Sequence, residues 1–539
     1  MDFLKRAPKL FSRACFAFLI LAIAFISSCA PHEQRADIVI VNNGEPETLD
    51  PALLTGIPEM RVVIGMFEGL ARLDPKTAQP IPGLAQSWDI SPDGKNYTFH
   101  LRTNLVWSTG EPITSDDVLY SWLRTLAPAT ASAYAGQLFY VKNAEAFNAG
   151  KTNAAFVGIS TPDKFTFRVE LNQPTPFFLD ICTLALTYVV PRQAIEKYGD
   201  RWLMAKPLPS SGPYELAYWK LNDKVRLKKN SRYWDAVNTQ SDVIDILPMG
   251  SPSTSFDLYQ QGFVDIIWDK EVVPAELLDI LLKRPDAHRF DYLATYWVSI
   301  NTTRKPFDDP RVRKAFALAV DRDAIVKKIT RGGERPVSHI VPDGTANYTS
   351  PSGLDYNPAL AKKLLAEAGY PDGKGFPRFE YIFNGPSGGG SKTHEDIAVE
   401  LQQMWRDTLG INMDLRAVEW RVWQSATAHL NYDIGRGDWI GDYDDANTFL
   451  ALFESNDGNN RTGWKNPKYD ALMERANSET DLQKREKILQ QAEAMLIQDE
   501  MPVIPLYIFA GVNYYHTNIS GIYQNILDDH PLNYIRKTK

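Results

Sequence analysis

Residues 433 to 450, DIGRGDWIGDYDDANTFL, concentrate the side chains best suited to holding a charged ligand. After a short strand predicted at Tyr432 to Ile434, Arg436 and Asp442 lie on glycine-rich backbone and could each hold one end of a zwitterion. Trp439 offers an apolar wall, and the glycines let the backbone approach a ligand. The stretch therefore predicts a binding surface, although an acidic, glycine-containing loop is also typical of a solvated connection.

Two further patterns resemble catalytic or phosphate-binding motifs, but neither is complete. Gly385, Ser387 and Gly389 stand between a predicted strand and a predicted helix, as in the serine-nucleophile elbow, yet the extra glycines loosen a turn that must be strained. Gly385 to Thr393 nearly matches a phosphate loop, but Ser391 separates the last glycine from its lysine. A flexible connection is favoured, no catalytic residue is predicted, and a serine hydrolase using Ser387 is a remote alternative.

The sequence predicts neither a metal site nor a cofactor. The eight histidines are scattered, with none four residues apart on a predicted helix, and the body of the chain keeps a single cysteine, Cys182. His394 stands at the start of a predicted helix, where a histidine is by itself more typical of a surface or capping residue.

The first 29 residues have the pattern of an export signal. Basic residues precede the apolar run 14–26, which is shorter than the roughly 20 residues of a membrane span. The small residues before Cys29 resemble a bacterial lipoprotein box, which predicts a lipid on Cys29. The alternative is an ordinary signal peptide cut near Ser28 or Ala30.

Composition limits the remaining classes. About 500 residues of body, at 44% hydrophobic composition for the whole chain, can supply large cores, split among two or three domains. The net charge of -8 argues against nucleic acid and anionic membrane surfaces as partners.

Local patterns predict helices and strands in alternation through the second half, which indicates an α/β fold. Phe165, Phe167, Val169 and Leu171 alternate with polar residues, as in a half-buried strand. Three helix starts are predicted from capping residues: Thr114 with Asp117, Asp309 with Pro310, and Thr480 with Gln483.

Several long motifs, in one order, resemble the family of extracytoplasmic solute-binding proteins that serve peptide ABC transporters, especially the oligopeptide-binding proteins. The block from Leu84 to Pro128 carries the family signature. The other matching pieces are FEGL at Phe67, SGPYEL at Ser211, NSRYWD at Asn230, KPFDDPRVRKAFALAVDRDAI at Lys305, AKKLLAEAGY at Ala361, HEDIAVELQQMW at His394 and GDWIGDYDDANTFL at Gly437.

The resemblance implies a two-lobed periplasmic-binding-protein fold of type II, with crossed hinge strands and an additional inserted domain. The implied divisions are the signal peptide at 1–29, lobe I at 30–80, 205–293 and 510–539, the inserted domain at 81–204, and lobe II at 294–509. The implied ligand is an oligopeptide that lies between the lobes as an added strand.

The resemblance also implies the ligand-binding residues. Main-chain bonds are expected from Glu68, Gly69 and Leu70 on one side and from Asp438, Trp439 and Ile440 on the other. Asp442 matches the aspartate that holds the peptide amino group. Arg436, Trp439, Tyr134 and His394 match further contact positions, and a histidine at this position helps receive some peptide carboxyl ends.

The chain departs from the family pattern at four positions. Ala294 and Ile440 stand where the family member most similar in pattern pairs two cysteines. Thr330 replaces a lysine that can receive the carboxyl end, although Arg331 is adjacent, and Thr427 replaces a basic residue. These departures leave the amino-end anchor intact and put the preferred peptide length in doubt.

The predicted function is therefore the substrate-binding component of an ABC importer, with no enzymatic activity. Its predicted partners are an oligopeptide, the permease subunits and a membrane reached through the lipid on Cys29; the protein is predicted to be a monomer outside the cytoplasm that binds no nucleic acid. The alternative is another solute on the same scaffold: a dipeptide, a sugar, a bile acid or a metal chelate.

Overall fold

The structure is a computed structural model that describes residues 34–386 and 391–538. The predicted export signal, Cys29 and Ser387 lie outside these ranges. Among the described residues, none of the helices combines the length and the apolar character that a bilayer span demands.

The strands are numbered in chain order. They are β1 Ile38–Val41, β2 Ala71–Leu73, β3 Pro80–Pro82, β4 Ala85–Ile90, β5 Asn96–Leu101, β6 Ile159–Asp163, β7 Thr166–Glu170, β8 Tyr214–Lys220, β9 Lys224–Lys229, β10 Val243–Leu247, β11 Ile266–Ile267, β12 Ala287–Ile300, β13 Arg335–Pro336, β14 Phe379–Asn384, β15 Met413–Val418, β16 Ile434–Ile440, β17 Val503–Tyr515, β18 Ile519–Ser520 and β19 Arg536–Lys537.

The α-helices are numbered in the same way. They are α1 Ile57–Met66, α2 Ser115–Leu126, α3 Ala144–Asn148, α4 Phe178–Ile181, α5 Arg192–Tyr198, α6 Pro252–Gln260, α7 Leu278–Leu281, α8 Pro310–Leu318, α9 Arg322–Ile325, α10 Pro358–Glu367, α11 Lys392–Leu409, α12 Trp420–Ala428, α13 Asn447–Leu450, α14 Pro467–Ser478 and α15 Leu482–Ala494.

The described residues form one mixed sheet of eleven strands, in the order β15-β14-β16-β12-β17-β11-β1-β10-β9-β8, with β13 also paired to β17. We call the part built on β1 and β8–β11 lobe I, and the part built on β14–β16 lobe II. Helices pack against this sheet, so the predicted α/β class is confirmed.

Two long antiparallel strands connect the lobes. β12 pairs with β17 from Ala287 to Ser299, and it pairs with β16 only from Ala294 onward. β17 pairs with β11 of lobe I at its far end. The register between β12 and β17 shifts between Asp291 and Thr295, so the regular pairing is interrupted where the chain passes from one lobe to the other.

Both lobes bury the two faces of their sheet, because alternate residues of each strand enter different cores. In lobe I, Ile40 enters one core and Val41 the other. In lobe II, Tyr296 and Val298 pack on one side and Trp297 on the other. Both faces of the sheet are therefore covered in each lobe.

A separate four-stranded antiparallel sheet, in the order β4-β5-β7-β6, lies within residues 85–170. Its core includes Phe99, Trp122, Phe167 and Phe178. The predicted alternation is confirmed in β7, where Phe167 and Val169 are buried while Arg168 and Glu170 are exposed. We call the region with this core the inserted region.

Two of the three predicted helix starts are confirmed. The Thr114 N–H donates to the Asp117 carboxylate at 2.8 Å, and the Asp309 carboxylate accepts the Arg311 N–H at 2.8 Å. The third was placed one residue early. The cap of α15 is Asp481, whose carboxylate accepts from Gln483 N and Lys484 N, each at 3.1 Å. A carboxylate caps the helix and also interacts favourably with its dipole.

The strand prediction at Tyr432 to Ile434 was wrong in its extent. β16 begins at Ile434 and continues through Ile440, so Arg436 and Asp438 lie on a strand instead of a loop. The glycines that suggested a loop allow close packing: a Cβ at Gly437 would crowd Trp297 and Ser299 of β12. Tertiary pairing with β12 therefore decides the conformation of this stretch.

We expect Gly511→Ala to destabilise the connection between the lobes. Gly511 lies directly opposite Phe290 in the β12–β17 pair, and a Cβ there would overlap the Phe290 ring. Overpacking of this kind costs about 1 to 3 kcal/mol, so the midpoint of thermal unfolding should fall by about 1 to 3 degrees in a chain of this length. Gly458→Ala is the control, because a Cβ at Gly458 meets no atom within 4 Å. Equal unfolding midpoints for the two variants would contradict this account.

Candidate functional site

A cavity of about 260 Å³ lies where lobe I, lobe II and the inserted region meet. Lobe I contributes α1 and residues 527–532, the inserted region contributes Tyr134 and residues 183–188, and lobe II contributes residues 440–442. A second cavity of about 340 Å³ shares part of this wall, including Trp268, Tyr292 and Ile440. The two are called the first and the second cavity.

The Asp442 carboxylate faces the first cavity just beyond the end of β16. Gln137 Nε2 donates to Asp442 Oδ2 at 3.0 Å, and the Asp442 N–H donates to Thr448 Oγ1 at 3.0 Å. Within the described residues no lysine or arginine pairs with this carboxylate, and burial, opposed by the Gln137 hydrogen bond, raises the pKa of Asp442 to about 7. An anion withdrawn from water without a counterion is an acceptor for a cationic ligand group.

Tyr134 and Ile440 lie beside Asp442 in the wall of the first cavity. Burial, followed by the charge of Asp442, raises the pKa of Tyr134 to about 12, so its hydroxyl stays protonated as a potential donor. Ile440 is 43% exposed, unusual for a large aliphatic side chain, and lines both cavities. The structure thus brings together three of the predicted site residues.

One edge of β16 is open beside this cavity. β12 pairs with all of β16 on one side, while β14 pairs on the other side only through Ile434 and Gly435. The described part of the chain places no strand against the remaining edge at Asp438 to Ile440. An exposed strand edge of this kind can accept an extended ligand as an additional strand.

Arg436 lies away from the first cavity and is already engaged. Its side chain is 3% exposed, its Nε donates to Asn384 Oδ1 at 2.6 Å, and it forms an ion pair with Asp438. The guanidinium also stacks on Trp423, with 4.4 Å from Cζ to the ring centroid. A ligand carboxylate at this position would therefore compete with Asp438.

His394 belongs to the same cluster as Arg436. His394 Nδ1 is 3.2 Å from the Asn384 carbonyl oxygen, and its ring centroid is 5.8 Å from that of Tyr296. Burial and then the positive charge of Arg436 hold the pKa of His394 below its usual range, so the ring is neutral at pH 7. It can offer a neutral hydrogen bond but no full charge.

Trp439 points to the opposite face of β16 from Asp438 and Ile440. Its ring packs against the lobe II core that contains Phe449. Trp439 Nε1 donates to Thr448 Oγ1 at 3.5 Å, and the same hydroxyl accepts the Asp442 N–H. The side chain therefore supports the loop that carries Asp442.

Glu68, Gly69 and Leu70 are buried, and their carbonyl groups are bonded within the protein. The Glu68 carbonyl accepts from Val189 N at 3.0 Å, the Gly69 carbonyl from Leu84 N at 3.0 Å, and the Leu70 carbonyl from Gly83 N at 3.1 Å. The Glu68 carboxylate accepts from Tyr233 and Trp234. In this structure the segment connects lobe I to the inserted region.

The departures from the family pattern have definite positions. Ala294 and Ile440 are directly paired across β12 and β16. Arg331 forms an ion pair with Asp279 of lobe I at 3.3 Å, and Thr427 donates back to the carbonyl of Trp423 at 3.0 Å. The cleft wall is therefore held at these positions by strand pairing and by internal polar contacts.

Sequence reasoning did not identify Gln137, which donates a hydrogen bond to the Asp442 carboxylate, or Asp529, which lines the first cavity. Gln137 is 305 residues from its partner Asp442, and Asp529 stands in the C-terminal tail and lines the first cavity. Neither lies in a recognisable motif. They take part in this site because segments that are distant in the sequence lie next to one another in the fold.

The sequence profile described as "Bacterial extracellular solute-binding proteins, family 5 Middle" matches residues 79–461. The chain is 34% identical to the periplasmic oligopeptide-binding protein of Salmonella typhimurium over 491 residues, which cover 89% of this chain and 88% of that protein. It is 33% identical to a probable deoxycholate-binding periplasmic protein of Escherichia coli K12, with 86% of each chain covered.

A crystal structure of a periplasmic oligopeptide-binding protein from Borrelia burgdorferi superimposes with a TM-score of 0.81 at 35% identity. The match covers 94% of this chain and 100% of that one. The two-lobed architecture described above is therefore shared across the whole length of that protein.

We expect Asp442→Asn to stabilise the ligand-free protein at pH 8 by roughly 1 to 3 kcal/mol. Because the folded-state pKa of about 7 exceeds the usual value near 3.8, the carboxyl lowers the free energy of unfolding progressively as the pH rises from about 4 to 7, and the full cost is present above pH 7. Below about pH 4 the carboxyl is protonated in both states, so the difference should vanish. Chemical unfolding at pH 4, 6 and 8 measures it, with the exposed carboxylate variant Asp257→Asn as control. A difference independent of pH would show that Asp442 is not buried as an anion.

Proposed function

This chain belongs to the bacterial extracellular solute-binding proteins of family 5, and on that premise we propose that it binds oligopeptides between its lobes and delivers them to the permease of an ABC importer. A family of solute-binding proteins acts by binding and release, so we propose no catalytic step and no cofactor. Peptide binding is supported by the relative from Salmonella typhimurium, an oligopeptide-binding protein.

The unpaired carboxylate of Asp442 is the observation that carries the proposal. A peptide supplies an ammonium group at its amino end, which would donate to Asp442 and compensate its charge. Gln137 already orients one carboxylate oxygen, and Tyr134 lies beside it. A free amino end would thus be recognised without regard to the side chains that follow.

The open edge of β16 would hold the peptide main chain. Backbone groups at Asp438 to Ile440 that face away from β12 are available to pair with an extended ligand. Main-chain pairing fixes direction and spacing and is indifferent to sequence. The contribution of Glu68, Gly69 and Leu70 stays a prediction, since their carbonyl groups would have to leave their present partners.

We propose that the cleft closes by rotation about β12 and β17, with lobe I at 30–80, 205–293 and 510–539, the inserted domain at 81–204, and lobe II at 294–509. The segment after β16 makes the contacts expected of a closed cleft. Tyr443 stacks on Phe177 of the inserted region at 5.2 Å, and Gln79 donates to Asp444 at 3.3 Å. Opening would separate these pairs.

The carboxyl end of a ligand would extend toward Arg436 and His394, which remain predicted contacts. Because Asp438 neutralises Arg436 and His394 is uncharged, neither supplies a free cation there. We therefore propose that the amino end dominates affinity and that peptides of several lengths are accepted.

We further propose that the protein works outside the cytoplasm as a monomer, tethered to a membrane by lipid on Cys29. The curated relatives from Salmonella typhimurium and Escherichia coli are named as periplasmic proteins, which supports export. The proposed partners are the peptide and the permease, with no nucleic acid.

Another solute on the same scaffold is the second candidate, favoured by the deoxycholate-binding relative and by the apolar side chains of the first cavity. A serine hydrolase that uses Ser387 is the third, remote candidate. Mass spectrometry of ligand co-purified with the protein separates the first two, and recovery of added peptides, intact or cleaved, tests the third.

We expect Asp442→Ala to weaken binding of a free tripeptide by at least about a hundredfold, because removing one member of a desolvated pair costs about 3 to 5 kcal/mol. Acetylating the peptide amino group should weaken wild-type binding comparably and matter little in the variant, since both changes remove one interaction. Calorimetric titration of both peptides against both proteins measures the coupling.

Asp257→Ala, which removes an exposed carboxylate on α6, serves as the control and should bind both peptides as the wild type does. If the wild-type protein binds acetylated and free peptide equally tightly, the amino end is not held by Asp442, and either the residue or the ligand class is wrong.

We expect Cys29→Ser to release the protein from membranes into the soluble fraction, because a cysteine thiol is needed to carry the lipid. Fractionation of cells that express each form, with mass spectrometry of the mature amino terminus, measures this. An unmodified amino terminus in a wild-type protein that still sediments with membranes would refute lipid anchoring.

A further inference from the structure

The first cavity contains a second carboxylate, Asp529, that the main-chain recognition proposed above does not use. Asp529 is half-buried and lines the same cavity as Asp442. Its N–H donates to Asn525 Oδ1 at 3.2 Å and its carbonyl accepts from Asn525 Nδ2 at 2.7 Å, which fixes the backbone. Within the described residues, neither a lysine nor an arginine pairs with its carboxylate.

The negative charge of the neighbouring Asp528, in contrast, is compensated by the side chains around it. Asp528 accepts from Arg61 at 3.2 Å, from His530 Nε2 at 2.7 Å and from Asn513 Nδ2 at 3.2 Å. Arg61 also donates to both oxygens of Asp269 at 2.7 and 3.0 Å. Its guanidinium is thus engaged by Asp269 and Asp528, and it forms no ion pair with Asp529.

The charge on the cavity wall is consequently unbalanced. The charged lining residues are three carboxylates, Asp442, Asp528 and Asp529, with the one arginine Arg61 and His530. Once Arg61 is counted against Asp528, two of these carboxylates have no lysine or arginine partner within the described residues. The amino group of a peptide offsets one of them at Asp442, and the charge of Asp529 remains.

The pKa of Asp529 agrees with a carboxylate that has no lysine or arginine partner. Burial raises the pKa of Asp529 to about 6, with His530 lowering it and the charge of Asp528 raising it further. The carboxyl is thus ionised at pH 7 and its charge lies in poorly hydrated surroundings, where an opposite charge interacts strongly.

Much of the wall of this cavity is apolar. Met60 and Ile64 of α1, Leu184 and Leu186 of the inserted region, and Leu527 of the tail supply part of it. A long aliphatic stem would be covered by these side chains while a charge at its tip reached Asp529. Lysine and arginine have this construction: a chain of methylene groups that ends in a cation.

Resting on the peptide-binding function proposed above, we propose that the first cavity is a pocket for a basic first residue: Asp442 holds the amino group of the peptide while Asp529 holds the ammonium or guanidinium of the same residue's side chain. The preferred ligands are then oligopeptides that begin with lysine or arginine. Main-chain pairing accepts any sequence, and Asp529 adds selectivity at one position.

Three tripeptides test the proposal: lysyl-alanyl-alanine, norleucyl-alanyl-alanine and alanyl-lysyl-alanine. Norleucine keeps the aliphatic stem without the charge, and the third peptide moves the charge to the second residue. Titration calorimetry against protein freed of bound ligand should show the first peptide binding at least about tenfold more tightly than the second.

Asp529→Asn should abolish this preference by weakening only the peptide with lysine first. Asp529→Glu should retain it, because the charge is kept. Since the Asp529 carboxylate has no cationic partner, the asparagine variant should unfold at the same or a higher temperature than the wild type. Asp529→Ser is a second neutral variant, and Asp257→Asn controls for the loss of one negative charge.

The outcomes separate the two proposals. If all three peptides bind the wild type and lysine at the first position gives no advantage, or if the advantage survives in the neutral variants, the pocket proposal fails and peptide binding stands. If alanyl-lysyl-alanine depends on Asp529 as strongly as lysyl-alanyl-alanine, the assigned position is wrong. If none of the peptides binds, peptide binding and the pocket fail together.

Discussion

The antiparallel pairing of β12 with β17 is the constraint on which the rest of the structure depends. These strands run through both lobes, so each lobe completes its own sheet on a shared pair. The register of the pair shifts between Asp291 and Thr295 and again between Tyr296 and Trp297, so the regular ladder is interrupted at two places. Every cavity-lining residue of lobe II is positioned through β16, which is itself paired to β12.

The cleft also buries acidic side chains that have no lysine or arginine partner among the described residues. Burial is the largest cause that raises the pKa values of Asp442 to about 7 and of Asp444 to about 6. Withdrawing an ionised carboxylate from water costs free energy unless an opposite charge approaches it. Under the proposed function, a cationic ligand at Asp442 would offset part of that cost in the closed state and so would couple closure to binding.

Sequence reasoning succeeded where the signal is local. The caps at Asp117 and Asp309 and the alternation in β7 were predicted, because capping geometry and strand periodicity involve residues close together in the chain. It failed at β16, where glycines suggested a loop and the partner strand imposed an extended conformation. Arg436 stays a predicted contact; its present partners Asn384 and Trp423 come from other elements, so local sequence did not indicate them.

The sequence by itself determined the α/β class, the family motifs and the presence of an acidic, glycine-rich stretch around Asp442, since composition, order and periodicity are properties of the chain. Only the tertiary structure decided which acids remain without a counterion. Asp528 and Asp529 are identical neighbours in sequence, yet Arg61 and His530 donate hydrogen bonds to the carboxylate of Asp528 and not to that of Asp529. Charge compensation depends on which distant side chains the fold brings within hydrogen-bonding distance. The sequence around a single position does not indicate which side chains those are.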